Sequence, residues 1–426
     1  MSILLYFITN VLSQPMIIIG LVVILGMALM RQPFSKILPS TIKAVIGFTM
    51  INVGGQTLGT ALMPLTGLIG HIFGMKAPGN TSNIGAVQGQ SLAAIGTEMA
   101  LIFALGFVVN LLMARFTSLK YVHLSPHVSF FFAGLIASLL KYNTSLSMGA
   151  QVGIGAVMLG LYMTISCWYV ALCIKPVRGA KGFTLAHSSS SGDLIASVEG
   201  ELFGDKKSSI EDLKINPKYG FLREMTIALT LVMTLLFFFL GLFAGPTWTM
   251  THVAGGKDIV LYAITQGVQF GMWITVIITG VRMMLSELIP AFHGIAKKLI
   301  PNATPGLDVP LLFPQYPMAV IVGFLCSLTS GLVGMVILAA LHFPTVVFPA
   351  LIPTFFTGAA TAIFGDAHGG RRGAIIGSLT NGFLLIFGQA FLLSMVGTYA
   401  PIMRILSETD YCVYGPALGF LLHLFH

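Results

Sequence analysis

The chain has 426 residues, of which 56% are hydrophobic and only 8% are charged. A soluble domain carries about 25% charged residues, and a core this apolar would need far more polar surface than these charges can cover. The composition therefore excludes a soluble enzyme, a nucleic-acid-binding protein, a collagen-like fibre and a disordered regulator. The formal net charge of +8 comes from basic residues placed singly or in pairs at the ends of apolar runs, a pattern typical of cytoplasmic loops in membrane proteins.

Apolar runs long enough to cross a membrane follow one another along the chain. A helix needs about 20 residues to cross the hydrocarbon core. Several runs are longer than this or are interrupted by Gly and Pro, which is typical of tilted, kinked or re-entrant helices. The alternating pattern of an outer-membrane barrel is absent. We predict an all-α polytopic membrane protein with about eleven spans, at 4–30, 44–74, 91–114, 124–140, 147–174, 225–245, 260–285, 316–341, 343–364, 373–397 and 411–425.

One segment departs from the apolar composition. The stretch from Lys175 to Arg223 holds more than a third of all charged residues, and its basic residues favour the cytoplasmic side. Two further basic groups agree with this side if the N-terminus lies outside, whereas the pair Arg115 and Lys120 disagrees. The two agreeing groups are Arg31 with Lys36 and Lys43, and Arg371 with Arg372.

A weak internal repeat relates two parts of the chain about 226 residues apart. The segment 61–68 and the following Ala77-Pro-Gly resemble the segment 287–294 and the following Thr304-Pro-Gly. If an odd number of spans separates them, the copies are inverted, as in many carriers; chance similarity of two Pro/Gly-interrupted helices is the alternative. We expect one membrane domain over 1–426. Its parts are a first repeat at about 10–175, a cytoplasmic loop and half-helix at about 176–224, a second repeat at about 225–400 and a last helix at 410–426.

Asp308 is the most informative single residue. It lies among four prolines, Pro301, Pro305, Pro310 and Pro314, which forbid a continuous helix. A lone carboxylate on such backbone, flanked by apolar residues, is expected to bind a ligand or to cap a half-helix. We favour ligand binding.

Two histidines also lie in apolar surroundings. His127 follows Pro126 at the start of a span, where free N–H groups and an imidazole can bind a hydroxylated ligand; an interfacial histidine hydrated by water is the alternative. His187 precedes the run Ser188 to Ser191. This stretch is predicted to be a short hairpin or half-helix that dips into the membrane, with a flexible Ser/Gly linker as the alternative.

Weaker candidates are polar residues inside spans. Asn52 and Gln56 lie in a Gly-rich stretch that also suits close helix packing. Thr357 belongs to a face of small residues, followed by an aqueous-looking loop at 365–372. Glu98 is either a coupling carboxylate for protons or sodium or a residue at a helix end.

Several of these motifs together resemble the ascorbate-type membrane permease, enzyme IIC, of the bacterial phosphoenolpyruvate-dependent sugar phosphotransferase system. The similarity extends through nearly all of the chain. Pro305-Gly-Leu-Asp-Val-Pro is also similar to galactitol-type permeases, which indicates the wider ascorbate–galactitol superfamily. The motifs are Leu124-Ser-Pro-His, Phe183-Thr-Leu-Ala-His, Ser209-Ile-Glu-Asp-Leu-Lys, Gln266-Gly-Val-Gln, Gly280-Val-Arg-Met-Met-Leu-Ser-Glu-Leu, Phe292-His-Gly-Ile-Ala-Lys-Lys-Leu-Ile-Pro and Pro353-Thr-Phe-Phe-Thr-Gly.

The resemblance implies a multi-pass protein of the bacterial inner membrane with eleven spans. It also implies a lipid-embedded homodimer with a V-shaped scaffold and a mobile core, and an elevator-type motion. A cytoplasmic IIB component, supplied indirectly by IIA, would phosphorylate the carbohydrate. On this resemblance His127, His187 and Asp308 fall on substrate-binding positions, and Asn52 and Thr357 lie near the same pocket. We expect Ser188, beside His187, to bind the substrate as well.

The chain departs from the family pattern where glutamines accompany the two histidines. Phe131 stands four residues after His127, and Ser188 follows His187. Fewer amide groups change which substrate hydroxyls can be paired, and an unpaired buried polar group costs about 1–3 kcal/mol. These departures make another small carbohydrate or polyol a plausible substrate besides L-ascorbate.

Phosphotransfer chemistry is not expected on this chain. The four cysteines lie inside apolar stretches without a CxxC pair, so we expect core residues and no metal, cofactor or disulfide. Two alternatives remain: a proton- or sodium-coupled secondary sugar transporter, and a membrane-embedded hydrolase that uses His187 with its serines. The hydrolase lacks both G-x-S-x-G and H-E-x-x-H. The cysteines are Cys167, Cys173, Cys326 and Cys412.

Overall fold

The computed structural model describes residues 15–74, 84–213, 224–345 and 347–424. Three features of the sequence lie outside these ranges: the start of the first apolar run, the Ala77-Pro-Gly segment of the repeat, and the charged residues between 214 and 223.

The described residues are mostly helical, as predicted. The helices are α1 (Pro15–Leu29), α2 (Phe34–Ile72), α3 (Ile84–Phe116), α4 (Pro126–Asn143), α5 (Met148–Cys173), α6 (Ser190–Phe203), α7 (Met225–Phe243), α8 (Pro246–His252), α9 (Ile259–Lys298), α10 (Pro317–Ala340), α11 (Leu351–Leu392), α12 (Ala400–Leu406) and α13 (Thr409–Leu424). Short 3₁₀ turns lie at Ile210–Asp212, Val309–Leu311, Phe313–Gln315 and Gly397–Tyr399.

Seven helices in the described ranges are long and apolar enough to cross a membrane. They lie in α2, α3, α5, α7, α9, α10 and α11, at Phe34–Ile72, Ala94–Phe116, Met148–Cys173, Met225–Phe243, Ile259–Phe292, Pro317–Ala340 and Leu351–Leu392. The prediction of a polytopic helical membrane protein is confirmed at this level. α1 is a shorter apolar helix.

Carboxylate side chains cap the starts of two of these helices. Glu224 accepts hydrogen bonds from the backbone N–H groups of Thr226 and Ile227 at the start of α7. Asp258 does the same for Val260 and Leu261 at the start of α9. These carboxylates satisfy N–H groups that have no partner within the helix, so they fix where the two apolar runs become helical.

Small residues allow α2 and α9 to pack closely. A Cβ atom on Gly47 would lie 2.5 Å from the backbone nitrogen of Met284, and one on Gly280 would lie 2.6 Å from the carbonyl oxygen of Gly47. A Cβ atom on Gly54 would lie 2.7 Å from Ile277 Cγ1. The close-packing interpretation of the Gly-rich stretch around Asn52 therefore holds at Gly54.

A small parallel sheet interrupts the helical architecture, which the all-α prediction did not anticipate. Its strands are β1 (Tyr121–His123), β2 (Thr184–Leu185) and β3 (Thr304–Leu307), in the order β1-β3-β2. His123 is paired with Gly306, and Leu185 with Leu307. Strands of two to four residues carry almost no periodic signal, and their partners are distant in sequence, so no local pattern could reveal the sheet.

The predicted aqueous loop at 365–372 is a bend inside α11. Gly369 and Gly370 interrupt the helix, and Gly370 has φ 58°, a left-handed conformation that glycine adopts without steric cost. Asp366 is buried and accepts hydrogen bonds from Ser209 Oγ and Ile210 N, each at 2.6 Å. The loop prediction was wrong because the polar residues serve the packing of a neighbouring segment. α11 also begins at Leu351, later than the predicted span at 343–364.

Candidate functional site

The three strands bring the main candidate residues to one edge of the sheet. His127 lies four residues after β1, His187 two residues after β2, and Asp308 directly after β3. The carboxyl ends of neighbouring parallel strands meet at the same edge, and this edge is where ligands bind in open parallel sheets. Three residues that are far apart in sequence thus come together.

Asp308 lies between the two histidines. Its Oδ2 atom is 3.2 Å from His127 Nε2, and its Oδ1 atom is 3.0 Å from His187 Nδ1. The Oδ1 atom also accepts a hydrogen bond of 2.8 Å from the backbone N–H of Val309. Asp308 therefore caps a 3₁₀ turn, as one of its two sequence interpretations expected, and it also contacts two imidazoles. Ligand binding by this carboxylate stays a prediction.

A second carboxylate lies on the far side of His187. The Nε2 atom of His187 is 3.6 Å from Glu408 Oε2, and the hydroxyl of Ser188 donates a hydrogen bond to the same oxygen of Glu408. We call His127, His187, Asp308 and Glu408 the histidine–carboxylate cluster. Sequence analysis did not identify Glu408.

The carboxylates favour the protonated form of His187, which lies in the connection between α5 and α6. Burial alone would lower the pKa of this imidazole, but the charges of Glu408 and Asp308 and the hydrogen bond to Asp308 raise it to about 9. Burial alone would raise the pKa of the Asp308 carboxyl, but the hydrogen bonds from His127 and His187 hold this pKa well below its usual range. His187 and Asp308 are therefore an ion pair at neutral pH.

The serine run forms the start of α6 and is held by a buried acid. Asp410, in the first turn of α13, accepts hydrogen bonds from the backbone N–H groups of Ser190 and Ser191 at 3.2 and 2.7 Å. The hydroxyls of both serines and of Tyr162 also donate to it. The segment is thus an ordered helix whose N-terminus faces a carboxylate, as the helix macrodipole favours, and the linker alternative is wrong.

Thr357 lies in a hydrogen-bonded network beside the cluster. Its hydroxyl donates to the carbonyl of Pro353 at 2.7 Å and accepts from Asn381 Nδ2 at 2.8 Å. Asn381 Oδ1 in turn accepts a 2.5 Å hydrogen bond from Thr409, the neighbour of Glu408. Thr357 is fully buried. The hydrogen bonds through Asn381 and Thr409 connect it to the residue next to the cluster.

Asn52 lies at an exposed position on α2. It is one helical turn after Phe48, whose ring centroid is 6.0 Å from that of His127. Of the six residues singled out from the sequence, the structure brings four together, with Glu408 added to them, and it places Asn52 and Thr357 on neighbouring elements. The four are His127, His187, Ser188 and Asp308.

Several buried polar atoms on or next to the cluster have no hydrogen-bond partner within the described residues. They are His123 Nε2, Ser125 Oγ, His127 Nδ1 and His187 Nε2. Buried polar groups are rarely left unpaired, because each costs about 1–3 kcal/mol. Their concentration at one edge of the sheet gives this place the capacity to pair with the hydroxyls of a ligand.

A weak sequence signal for Glu408 and Asp410 was available. Both lie in the motif Ser407-Glu-Thr-Asp. Glu408 directly precedes the last helix, and Asp410 lies in its first turn. An acidic start is common to many helices, so the motif alone does not separate a helix cap from a site. Outside the charged segment at 175–223, no other two acidic residues of the sequence lie within four positions of each other, so the motif could have been singled out.

Comparison with known proteins agrees with this architecture. A family model described as a PTS system sugar-specific permease component, EIIC-GAT, matches residues 10–410. The chain belongs to this family of phosphotransferase-system (PTS) permease components. The resemblance noted from the motifs is thereby confirmed.

One curated relative is the ascorbate-specific PTS system EIIC component of Mycoplasma pneumoniae. It is 24% identical over 445 aligned residues, which cover 92% of this chain and 66% of the relative. The chain therefore spans just under two thirds of the length of the relative.

Proposed function

We propose that this permease component takes up a small carbohydrate, L-ascorbate or a similar sugar or polyol, across the inner membrane. The observation that supports this most directly is the histidine–carboxylate cluster, in which Asp308 and the two imidazoles form a buried polar centre between apolar helices. Ionisable groups at such places are rare and mark substrate pathways. Donors and acceptors in the cluster would replace the hydration shell of the substrate hydroxyls.

Phosphorylation would occur on a separate IIB protein in the cytoplasm, supplied in turn by IIA. Three of the four cysteines of this chain are buried and the fourth, Cys326, is half-buried, so none is presented as a phosphoryl acceptor. A phosphate ester carries about −1.5 to −2 charges at neutral pH. Next to Asp308 and Glu408 such a product would be repelled, and release into the cytoplasm would therefore be favoured.

An inverted repeat and an elevator-type motion are part of the proposal. α2 and α9 have 39 and 40 residues and both contain a proline, and each precedes a long apolar helix. These corresponding lengths support a repeat. α1 and α2 pack on α9 through glycines, since a Cβ atom on Gly26 would lie 2.0 Å from the carbonyl oxygen of Ala291. We propose that these helices form the scaffold of a homodimer and that the elements of the cluster move against it.

The ion-coupled alternative has less support. Of the two carboxylates that could bind a coupling ion, Asp308 already contacts two imidazoles, and Glu98 lies 2.9 Å from the Lys141 ammonium. Its charge is already compensated by a basic side chain, so it is a poor candidate for reversible proton or sodium binding.

Replacement of Asp308 by alanine tests the site. We expect the D308A variant to bind substrate at least about 100-fold more weakly, because truncating a buried hydrogen-bonded charge at a binding site costs about 2–5 kcal/mol of binding free energy, while the protein still elutes as a dimer. The measurement is the binding of labelled polyols, sugars and L-ascorbate to the purified chain. Glu287 is a matched control, because it is a partly exposed carboxylate paired with Lys43 at 3.7 Å on α9. Unchanged affinity in D308A would contradict the assignment.

A further inference from the structure

Glu408 is an acidic residue placed where a substrate would contact it. It directly precedes α13, and only 16% of its side chain is exposed. Within the described residues, its carboxylate contacts the hydroxyl of Ser188 and the Nε2 atom of His187. No lysine or arginine forms an ion pair with it among the described residues, so its charge is opposed only by an imidazole.

His187 supplies an independent indication of a ligand. Its side chain is 4% exposed, and its Nε2 atom has no hydrogen-bond partner in the described part of the chain. This atom is directed at Glu408 Oε2 from 3.6 Å, just beyond hydrogen-bonding distance. A hydroxyl placed against both groups would accept from the imidazolium and donate to the carboxylate, so one substrate group would satisfy both.

The charges of the cluster limit the substrates that it can hold. Asp308 and Glu408 are opposed by the imidazoles of His127 and His187. With both carboxylates ionised and both imidazoles protonated the four charges sum to zero, and with either imidazole neutral the sum is negative. Asp410 is also buried nearby, in the first turn of α13. An anionic substrate would therefore enter a site that has no excess positive charge.

Ser188 strengthens this contrast. Its hydroxyl donates a hydrogen bond to Glu408. The group that a ligand would meet beside His187 is therefore the Glu408 carboxylate, which is a hydrogen-bond acceptor. A carboxylate accepts hydrogen bonds and cannot donate them. Hydroxyls, which donate, are suited to such a group, whereas an enolate oxygen, which only accepts, is not.

We infer that Glu408 contacts the substrate and makes this site select an uncharged polyol or sugar over an anion such as L-ascorbate. The inference rests on the proposed uptake function and adds to it the residue that sets the charge of the substrate.

The test measures binding of xylitol, D-arabitol, galactitol, D-sorbitol and L-ascorbate to the purified full-length chain at neutral pH. We expect at least one neutral probe to bind at least about tenfold more tightly than L-ascorbate. In E408Q, which removes the charge and keeps the shape, binding of that probe should weaken and the preference over L-ascorbate should shrink at least about tenfold. E287Q should retain both affinities.

A shorter acid separates charge from contact. E408D keeps the negative charge, but the shorter side chain holds it farther from the substrate. This variant should therefore bind the neutral probe more weakly and still discriminate against L-ascorbate. This variant also serves if E408Q does not elute as a folded protein. If Glu408 had only a structural role, both substitutions would weaken the binding of the neutral probe and of L-ascorbate equally, and the ratio of the two affinities would not change.

The outcomes distinguish this inference from the proposed function. Tighter binding of L-ascorbate than of every neutral probe, or an unchanged ratio in E408Q and E408D, would overturn the inference. If D308A still abolishes binding in that case, the uptake site itself stands. If no probe binds, or if D308A binds as well as the unmodified chain, the site assignment fails with it.

Discussion

Asp308 uses its two carboxylate oxygens for different purposes. Oδ1 accepts from the backbone of Val309 and lies against His187, while Oδ2 faces His127. The first set of contacts fixes the turn after β3, and the second joins two segments that begin different helices. One residue thus contributes both to the local backbone and to the long-range assembly of the cluster.

The ion pair predicts a particular dependence of stability on pH. The pKa of His187 is raised to about 9 in the folded protein, against about 6.5 in an unfolded chain. Its contribution to stability is therefore fully present below about pH 6.5 and is lost as the pH rises through about 9. The midpoint of thermal unfolding in detergent should fall over this interval in the unmodified chain.

The H187Q variant is the reference for this measurement. Because glutamine does not titrate, the alkaline decrease should be smaller in H187Q, and the difference between the two proteins should narrow from pH 6.5 towards pH 10. Parallel curves over the whole interval would show that His187 is not charged in the folded protein.

The sequence was informative about single residues and uninformative about their neighbours. Proline and apolar flanks identified His127 and Asp308, because such local contexts leave a polar group without an ordinary role. Glu408 was missed, since an acid at the start of a helix has an ordinary role as a cap. Its position against His187 depends on where the last helix packs, and no local pattern records that.

At the scale of elements, the bend in α11 joins the second half of the chain to the segment after α6. A Cβ atom on Gly369 would lie 2.3 Å from the carbonyl oxygen of Gly200, at the C-terminal end of α6. The guanidinium of Arg371 donates to the carbonyl of Ser209, and the backbone N–H of Asp205 donates to the carbonyl of Gly369. Glycine is required at this contact because backbone meets backbone there.

Substitution of Gly369 by alanine should reveal this requirement. The added methyl group overlaps main-chain atoms that cannot turn away, so we expect G369A to lose about 1–3 kcal/mol of stability. In G153A the new Cβ atom has no neighbour within 4 Å on α5, and the helix should gain about 0.5–1 kcal/mol. The midpoints of thermal unfolding of the two variants under identical conditions measure these two changes in stability. Equal midpoints for G369A and G153A would contradict the packing described for the bend.

Helices and their interruptions were predictable, while the sheet was not. Apolar runs identified all seven long helices, and prolines around Asp308 identified the break between α9 and α10. The sheet depends on pairing between β1, β2 and β3, whose residues lie up to 186 positions apart in the chain. Such pairing is set by tertiary packing, and it is what gathers the site.

At the scale of the whole molecule, the protein combines long apolar helices with a polar centre built on non-helical backbone. Irregular backbone at membrane depth is tolerated only where protein buries it or where it lines a cavity. The three strands, the 3₁₀ turn at Val309–Leu311 and the starts of α4, α6 and α13 satisfy this condition, because they lie together around the cluster.

The chemical form of the imported substrate tests the central claim most directly. Membrane vesicles with the full chain would be given the labelled polyol that binds best, with and without the phosphotransfer proteins inside. We predict that label accumulates only when those proteins and a phosphoryl donor are present, that it is recovered as the phosphate ester, and that D308A vesicles accumulate none. Unphosphorylated label, concentrated in response to a proton or sodium gradient alone, would contradict the account.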